Sequence, residues 1–334
     1  MRRPRIKVDG EGIYHVVSRI GGRRFLLDDK EKGILLGMIR RAAAFSGVEV
    51  YTYAIMDNHF HLLVRVPAKS DVSEEELRRR VVALYGAERA GKLFAEWEKR
   101  ERKGKSAVVE ADKERLKKRM HDLSQFCKTF KEAYTQDYNR RHDNTGTIWE
   151  GRFKSLLLEG SARALLTVAG YIHLNPVRAG TAKEPDEPAN AGYGAACAGD
   201  EAARAGLESL VARVKGKPSV QAGKVGWEEA MDLCRSTLEG KTGAGGAGES
   251  EADMAARKGR ESCDGEAGGE GQTVYELLQR RRVGLLHGGA LGGADFVGEV
   301  AKMLPSRMRR KTEGELDRWA GLGLSSAMGV REAG

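Results

Sequence analysis

The chain has 334 residues, 31% of them charged, with a formal net charge of +9. That is long enough for one sizeable core with appended segments. No run approaches the ~18 apolar residues of a membrane span, and the basic start Met1-Arg2-Arg3-Pro4-Arg5-Ile6-Lys7 lacks the apolar stretch of a signal peptide. The four cysteines, Cys127, Cys197, Cys234 and Cys263, show no short metal or redox spacing, so a soluble protein of the reducing cytoplasm is expected.

The charge is uneven. Between Lys183 and Gln272 stand 17 Asp and Glu against 11 Lys and Arg, a net of −6, so the remaining residues carry +15. A basic body beside an acidic, low-complexity segment points to a polyanionic partner, most simply nucleic acid; a solvated basic surface is the plainer alternative.

In chain order, Gly12–Arg19 reads as a first strand, followed by a Gly21-Gly22-Arg23-Arg24 turn. That turn is flexible enough to approach phosphate, with Arg23 and Arg24 supplying charge. Asp28 or Asp29 caps a helix through Phe45, with Leu35, Met38, Ile39, Ala42 and Phe45 at helical spacing and Gly47 ending it. Val48–Met56 resumes as a strand, and Asp57-Asn58 turns into His59–Val66. There the period of two sends Phe60, Leu62, Val64 and Val66 into a core and His59, His61, Leu63 and Arg65 to the other face. Strand, helix, strand, strand suits a mixed layer with an antiparallel sheet.

Ser73 and Glu76 form a capping box opening a charged helical stretch to Arg102. Gly91 and the Lys103-Gly104-Lys105 break make it an exposed excursion rather than core. A long helix is expected from near Asp112, its stripe running Leu116, Met120, Leu123, Cys127, Phe130, Tyr134. Tyr134 and Tyr138 belong to that packing face rather than to chemistry. Lys128, Lys131, Arg140 and Arg141 lie off it, where they could line a phosphate track. After a turn at His142–Gly146, Thr147–Leu158 is extended, with Trp149 and Phe153 interleaved with Arg152 and Lys154. This is either a single-strand binding surface or a hairpin with its aromatics packed inward.

Ser161 caps a short helix ending by Pro176, with Leu165, Val168, Ala169 and Ile172 on its apolar arc and Tyr171 and Asn175 one turn apart at the margin. Beyond it, 183–272 reads as a low-complexity, partly disordered linker with Gly240–Gly248 as its most flexible run and one helix at Trp227–Leu238. Residues 273–334 read as a small helical extension: Val274–Leu278, Ala294–Leu304 and a basic run Arg307–Lys311. Lys241-Thr242 lacks the preceding Gly-x4-Gly of a phosphate loop.

Two imidazoles on one strand face and an amide oxygen can hold a divalent ion and leave positions open for substrate. Such an ion polarises a phosphodiester oxygen, and Tyr171 would be the nucleophile, splitting one displacement into two. No separate water-activating carboxylate is evident, which favours transfer over hydrolysis.

The motifs His59-Phe60-His61, Gly146-Thr-Ile-Trp-Glu-Gly-Arg-Phe-Lys-Ser155 and Tyr171-Ile-His-Leu-Asn-Pro-Val-Arg-Ala-Gly180 resemble those of the HUH single-tyrosine transposases, closest to the REP-associated branch, over about residues 10–182. The resemblance implies an α+β, ferredoxin-like (RRM-like) antiparallel sheet with helices on one face. It implies single-stranded DNA cleavage with Mg2+ or Mn2+ beside hairpins, through a 5′-phosphotyrosine and a free 3′-hydroxyl. It makes His59 and His61 metal ligands and Tyr171 the catalytic residue, and puts Asn175 where relatives often place Gln as a third ligand; His173 receives no role. Arg23, Arg24, Arg140, Arg141, Trp149, Arg152, Lys154 and Arg178 are the DNA-binding candidates. Residues 1–182 would form the catalytic domain, as a monomer or homodimer. It departs from compact members by the helical insertion at about 68–110 and by the C-terminal extension. Two rival readings stand beside it: a non-catalytic, domesticated nucleic-acid binder on the same scaffold, and a phosphodiesterase of small nucleotides.

Overall fold

The computed structural model describes residues 6–187, 190–217, 225–238, 289–302 and 325–327. The chain is α+β. Its leading elements run β1 (Gly12–Arg19), α1 (Asp29–Ser46), β2 (Glu49–Met56), β3 (His59–Val66), a group of helices, then β4 (Lys154–Leu158). That is the β-α-β-β-α-β order of ferredoxin-like folds. The described residues fall into two compact units, one built from Lys7–Val50 and Ile55–Phe153, the other from Tyr51–Ala54 and the chain from Lys154 onward.

In the first unit the strands lie in the order β2-β3-β1. β1 and β3 pair antiparallel from Gly12↔Val66 to Arg19↔His59. The expected ends of α1 are seen: Asp28 accepts from the Glu31 amide, and Gly47 closes the helix in a left-handed conformation (φ 72°). The left-handed backbone is what calls for glycine there; a Cβ would also meet the Arg80 guanidinium at 2.6 Å, a flexible end that can move aside. Behind β3, Phe60 meets Phe130 and Trp149 edge-on at 5.6 and 5.7 Å. Phe130 belongs to α5 (Leu123–Arg141), which packs on α1. The two helices are pinned by Glu31, which accepts from Tyr134 (2.8 Å), His142 (2.9 Å) and the Arg141 guanidinium.

Two sequence expectations change here. The helix expected from Asp112 through Tyr134 is two helices, α4 (Ser106–Lys117) and α5, separated by a turn in which His121 takes a positive φ of 51°. Asp122 caps α5 by accepting from the Gln125 amide, a start signal that the continuous apolar stripe concealed. The stripe divides: Leu116 and Met120 serve one core, Phe126 and Phe130 another. The excursion is also more than an exposed appendage. α2 (Glu74–Tyr85) and α3 (Ala87–Arg102) join α4 around a cluster of Phe45, Val72, Leu77, Val81, Ala90, Trp97, Val109 and Met120, with Trp97 fully buried. Charge on the outer faces hid this inner stripe; the helices break at Gly86 (φ 80°) and again at the expected Lys103-Gly104-Lys105.

In the second unit β4 runs parallel to β5 (Gly289–Gly292), which pairs antiparallel with β6 (Ser325–Ala327). Glu159 secures this pairing: its amide donates to Leu291 and its carboxylate accepts from the Gly293 amide, each bond 2.9 and 2.8 Å long in turn. A Cβ at Gly292 would lie 2.6 Å from that of Glu159. Helices α6 (Ala162–His173), α7 (Asn175–Arg178), α8 (Gly192–Cys197), α9 (Glu201–Val214) and α10 (Trp227–Leu238) follow β4, and α6 packs against α8, α9 and α10. Among the described residues the expected linker thus contains three helices, of which only α10 was read from the sequence. Within the expected helical extension, Gly289–Gly292 is a strand, followed by α11 (Ala294–Lys302). The Gly240–Gly248 run, Val274–Leu278 and Arg307–Lys311 lie outside the described residues. Among the described residues no helix is long and apolar enough to cross a membrane.

Candidate functional site

The histidine strand presents more than the pair expected. Residues facing each other across antiparallel strands share a sheet face, so the register Val17↔His61 and Arg19↔His59 brings His15 and Arg19 onto the face of His59 and His61. His15 Nε2 lies 3.0 Å from His61 Nδ1 with the rings stacked, and the His59 ring stands edge-on to His61 at 5.0 Å. This face is not an open polar surface as the alternation suggested: His61 and Leu63 are fully buried and His15 nearly so. Burial, then the positive charge of Arg19, pushes His59 down to about 4. His61 is held well below the ordinary imidazole value, by burial first and then by its neighbours His15, His59 and Arg19. Both imidazoles are therefore neutral at pH 7 and have lone pairs to offer. Sequence reasoning missed His15 and Arg19. Their period-two positions on β1 were visible, but the pairing partner of β1 was not.

Asn58 organises the approach to this strand. Its Oδ1 lies 2.7 Å from His59 Nδ1, and its Nδ2 donates to the Arg23 carbonyl at 3.1 Å. A proton on His59 Nδ1 leaves the lone pair on Nε2, with Asn58 fixing the orientation of the ring. The preceding turn is held by Lys32, which pairs with Asp57 at 2.8 Å. Arg23 and Arg24 are exposed.

Tyr171 and Asn175 belong to the second unit. Tyr171 is buried, and the Arg178 guanidinium carbon lies 5.3 Å from the centre of its ring. Asn175 Nδ2 donates to the Tyr171 carbonyl at 2.7 Å, which leaves Oδ1 pointing elsewhere. The apolar arc read from the sequence is fully buried at Leu165, Val168 and Ile172, but Tyr171, expected at its margin, is buried too, because α6 is enclosed nearly all round. His173 is structural. It lies 3.0 Å from Thr52 Oγ1, stacks on Tyr193 at 5.2 Å, and is driven down to about 3 by burial.

The basic candidates separate. Arg152 and Lys154 are exposed. Arg140, also largely exposed, lines a cleft of about 980 Å³ between α1, α2 and α5, together with Arg41, Arg89, Arg119 and Lys128. Arg141 is committed to Glu31 and Asp137, so it is an internal brace and not a phosphate contact. Lys131 is buried, donating to Ser18 Oγ (2.6 Å) and the Gly151 carbonyl (3.0 Å) and lying over the Trp149 ring. Trp149 itself packs inward, its indole N–H donating to Thr135 Oγ1 at 3.0 Å, and Phe153 is buried too. Of the two readings of that segment, the inward-packed one is what the structure shows, and Trp149 itself pairs with Ile20 as an isolated bridge. Tyr134 spends its hydroxyl on Glu31, and burial raises its pKa, which removes it from chemistry as expected.

For a divalent ion the donor chemistry fits in part. His59 and His61 are neutral imidazoles held by Asn58 and His15. Among the described residues, however, no group of three or more His, Cys, Asp and Glu is arranged as a metal site.

Residues 10–99, which include β1, the histidine strand and most of the excursion, match the family of IS200-like transposases. This part of the chain is therefore transposase-like, and the match ends before the Tyr171 motif. Among solved structures, a REP-associated tyrosine transposase bound to a REP hairpin is similar at 15% identity and a TM-score of 0.39, covering 60% of this chain and 86% of that one. No curated protein matches the chain.

Proposed function

We propose that this chain is a metal-dependent single-stranded DNA transposase that cleaves and rejoins one strand beside a hairpin. The observation that carries the reading is the pair of neutral, oriented imidazoles, half-buried His59 and buried His61, with Arg19 alongside, in the segment that matches the transposase family. His59 and His61 would hold Mg2+ or Mn2+, with Asn175 as a third ligand. When bound, the ion supplies charge neutralisation at a phosphodiester oxygen.

The chain's own residues do the rest. Tyr171 is the nucleophile: its Oη–P bond forms as the P–O3′ bond breaks, giving a 5′-phosphotyrosine and a 3′-hydroxyl that takes up a proton. A phenol ordinarily ionises near pH 10; the Arg178 guanidinium lies over the Tyr171 ring, 5.3 Å from its centre. Arg19 stands ready to compensate charge on the phosphate. Arg23, Arg24, Arg152 and Lys154 contact the strand backbone, and the cleft of Arg41, Arg89, Arg119, Lys128 and Arg140 takes the hairpin's phosphates.

The test is covalent capture. With Mn2+ and a hairpin-tailed strand, the protein should form a denaturant-resistant adduct, and Tyr171→Phe should form none while still binding. An adduct from Tyr171→Phe refutes the assignment. Absence of any adduct, with binding retained, would instead favour a non-catalytic binder.

A further inference from the structure

Phe25 is the most exposed large apolar side chain among the described residues, at 77% of its possible surface. It follows Arg23 and Arg24, also exposed, and precedes Leu26 and the buried Leu27, so the chain turns a ring and two cations outward together. A solvated phenyl ring gains nothing for folding. Yet the segment that carries it is tightly fixed. The Ile20 amide donates to the Asn58 carbonyl (2.8 Å), the Gly21 amide to Ile148 (2.8 Å) and the Leu27 amide to Asp57 (2.9 Å). Arg24 Nε donates back to the Gly21 carbonyl at 3.2 Å. Arg23 adopts a left-handed backbone (φ 56°), and its carbonyl is held by the same Asn58 amide that orients His59. A rigid loop tethered to the histidine strand thus displays one aromatic ring flanked by cations. Among the described residues neither Arg23 nor Arg24 forms an ion pair.

We infer that Phe25 is a stacking platform for one unpaired base of the substrate strand, with Arg23 and Arg24 holding the phosphates on either side of that nucleotide. Aromatic faces stack on any base, and adjacent cations hold the backbone, which is how single strands are bound without reading sequence. A second copy of the chain could cover an apolar ring, but two unpaired arginines beside it would then be brought against the same two of its partner. The charge favours a polyanion. The inference rests on the proposed function and adds to it a position: the strand is anchored at the loop joined by Asn58 to the histidine strand. It also gives the single-strand role expected of Trp149 to a residue able to fill it.

The experiment measures binding of the full-length chain, in EDTA so that nothing is cleaved, to a hairpin with a single-stranded tail carrying 2-aminopurine, and to the same hairpin without the tail. Because Phe25 is exposed, Phe25→Ala, Phe25→Leu and Phe25→Tyr should all fold. Phe25→Ala and Phe25→Leu should bind the tailed hairpin about 10-fold more weakly and lose the fluorescence quenching that stacking gives. Phe25→Tyr should keep both, and the tailless hairpin should be bound alike by all four proteins. Binding by Phe25→Ala or Phe25→Leu within twofold of the original, or an equal loss on the tailless hairpin, overturns the inference. So does equal binding of both DNAs by the original chain, or a loss that accompanies dissociation of an oligomer in sedimentation. Failure of adduct formation with these binding differences intact would sink the proposed chemistry and leave this assignment standing.

Discussion

Replacing Glu31 with Gln should show how strongly α1 is fastened to α5. The side chain is 3% exposed and accepts from Tyr134, His142 and Arg141. The Arg141 hydrogen bond first, then those from His142 and Tyr134, overcome the cost of burial and lower its pKa from an ordinary 4.5 to about 2. Because the folded value is depressed, the stabilisation is fully present above pH 4.5 and is lost as pH falls from there toward 2. A shift of that size is worth roughly 3 kcal/mol at pH 7, at about 1.4 kcal/mol per pH unit. Removing one partner of a buried pair costs about 3–5 kcal/mol, since Arg141 is left without its main anion. Urea unfolding of Glu31→Gln at pH 7 should therefore show a loss of about 3 kcal/mol. Between pH 5 and pH 2 the original protein should lose about that much more stability than the variant does. Other paired carboxylates, such as Asp122, also release stability on acidification, so the difference between the two proteins is the quantity to read. Parallel curves for the two proteins across that range would refute the reasoning.

Trp149→Ala should destabilise the fold by about 3–5 kcal/mol in urea unfolding; a variant of unchanged stability with weakened single-strand binding would restore Trp149 to the DNA surface. His15→Ala should weaken Mn2+ binding about 10-fold by releasing the His61 ring, read by calorimetry; unchanged affinity would show that His15 only packs. Trp97→Ala should open the excursion, costing about 3–5 kcal/mol and speeding amide exchange in α2 and α3. Exchange that stays slow there would contradict a shared core. Lys128→Glu and Arg89→Glu should each lower the salt dependence of hairpin binding by about one phosphate contact; an unaltered slope removes the cleft from the interface.

The sequence alone determined what depends on neighbours along the chain. The period of two set His59 and His61 on one strand face, and Asp28, Gly47 and Ser73 marked helix ends that the backbone adopts because their side chains or their left-handed freedom satisfy its orphan groups. The apolar arc of α6 was legible for the same reason. Tertiary structure decided whatever depends on partners distant in sequence. Pairing of β1 with β3 brought His15 and Arg19 to the histidines, a register that no periodicity within either strand encodes. Glu31, more than a hundred residues before Arg141, turned that arginine from a phosphate contact into a brace. Likewise the Leu116–Tyr134 stripe looks continuous because spacing records only that residues are buried. Which core buries them is settled in space, where the chain turns at His121 and the two halves part.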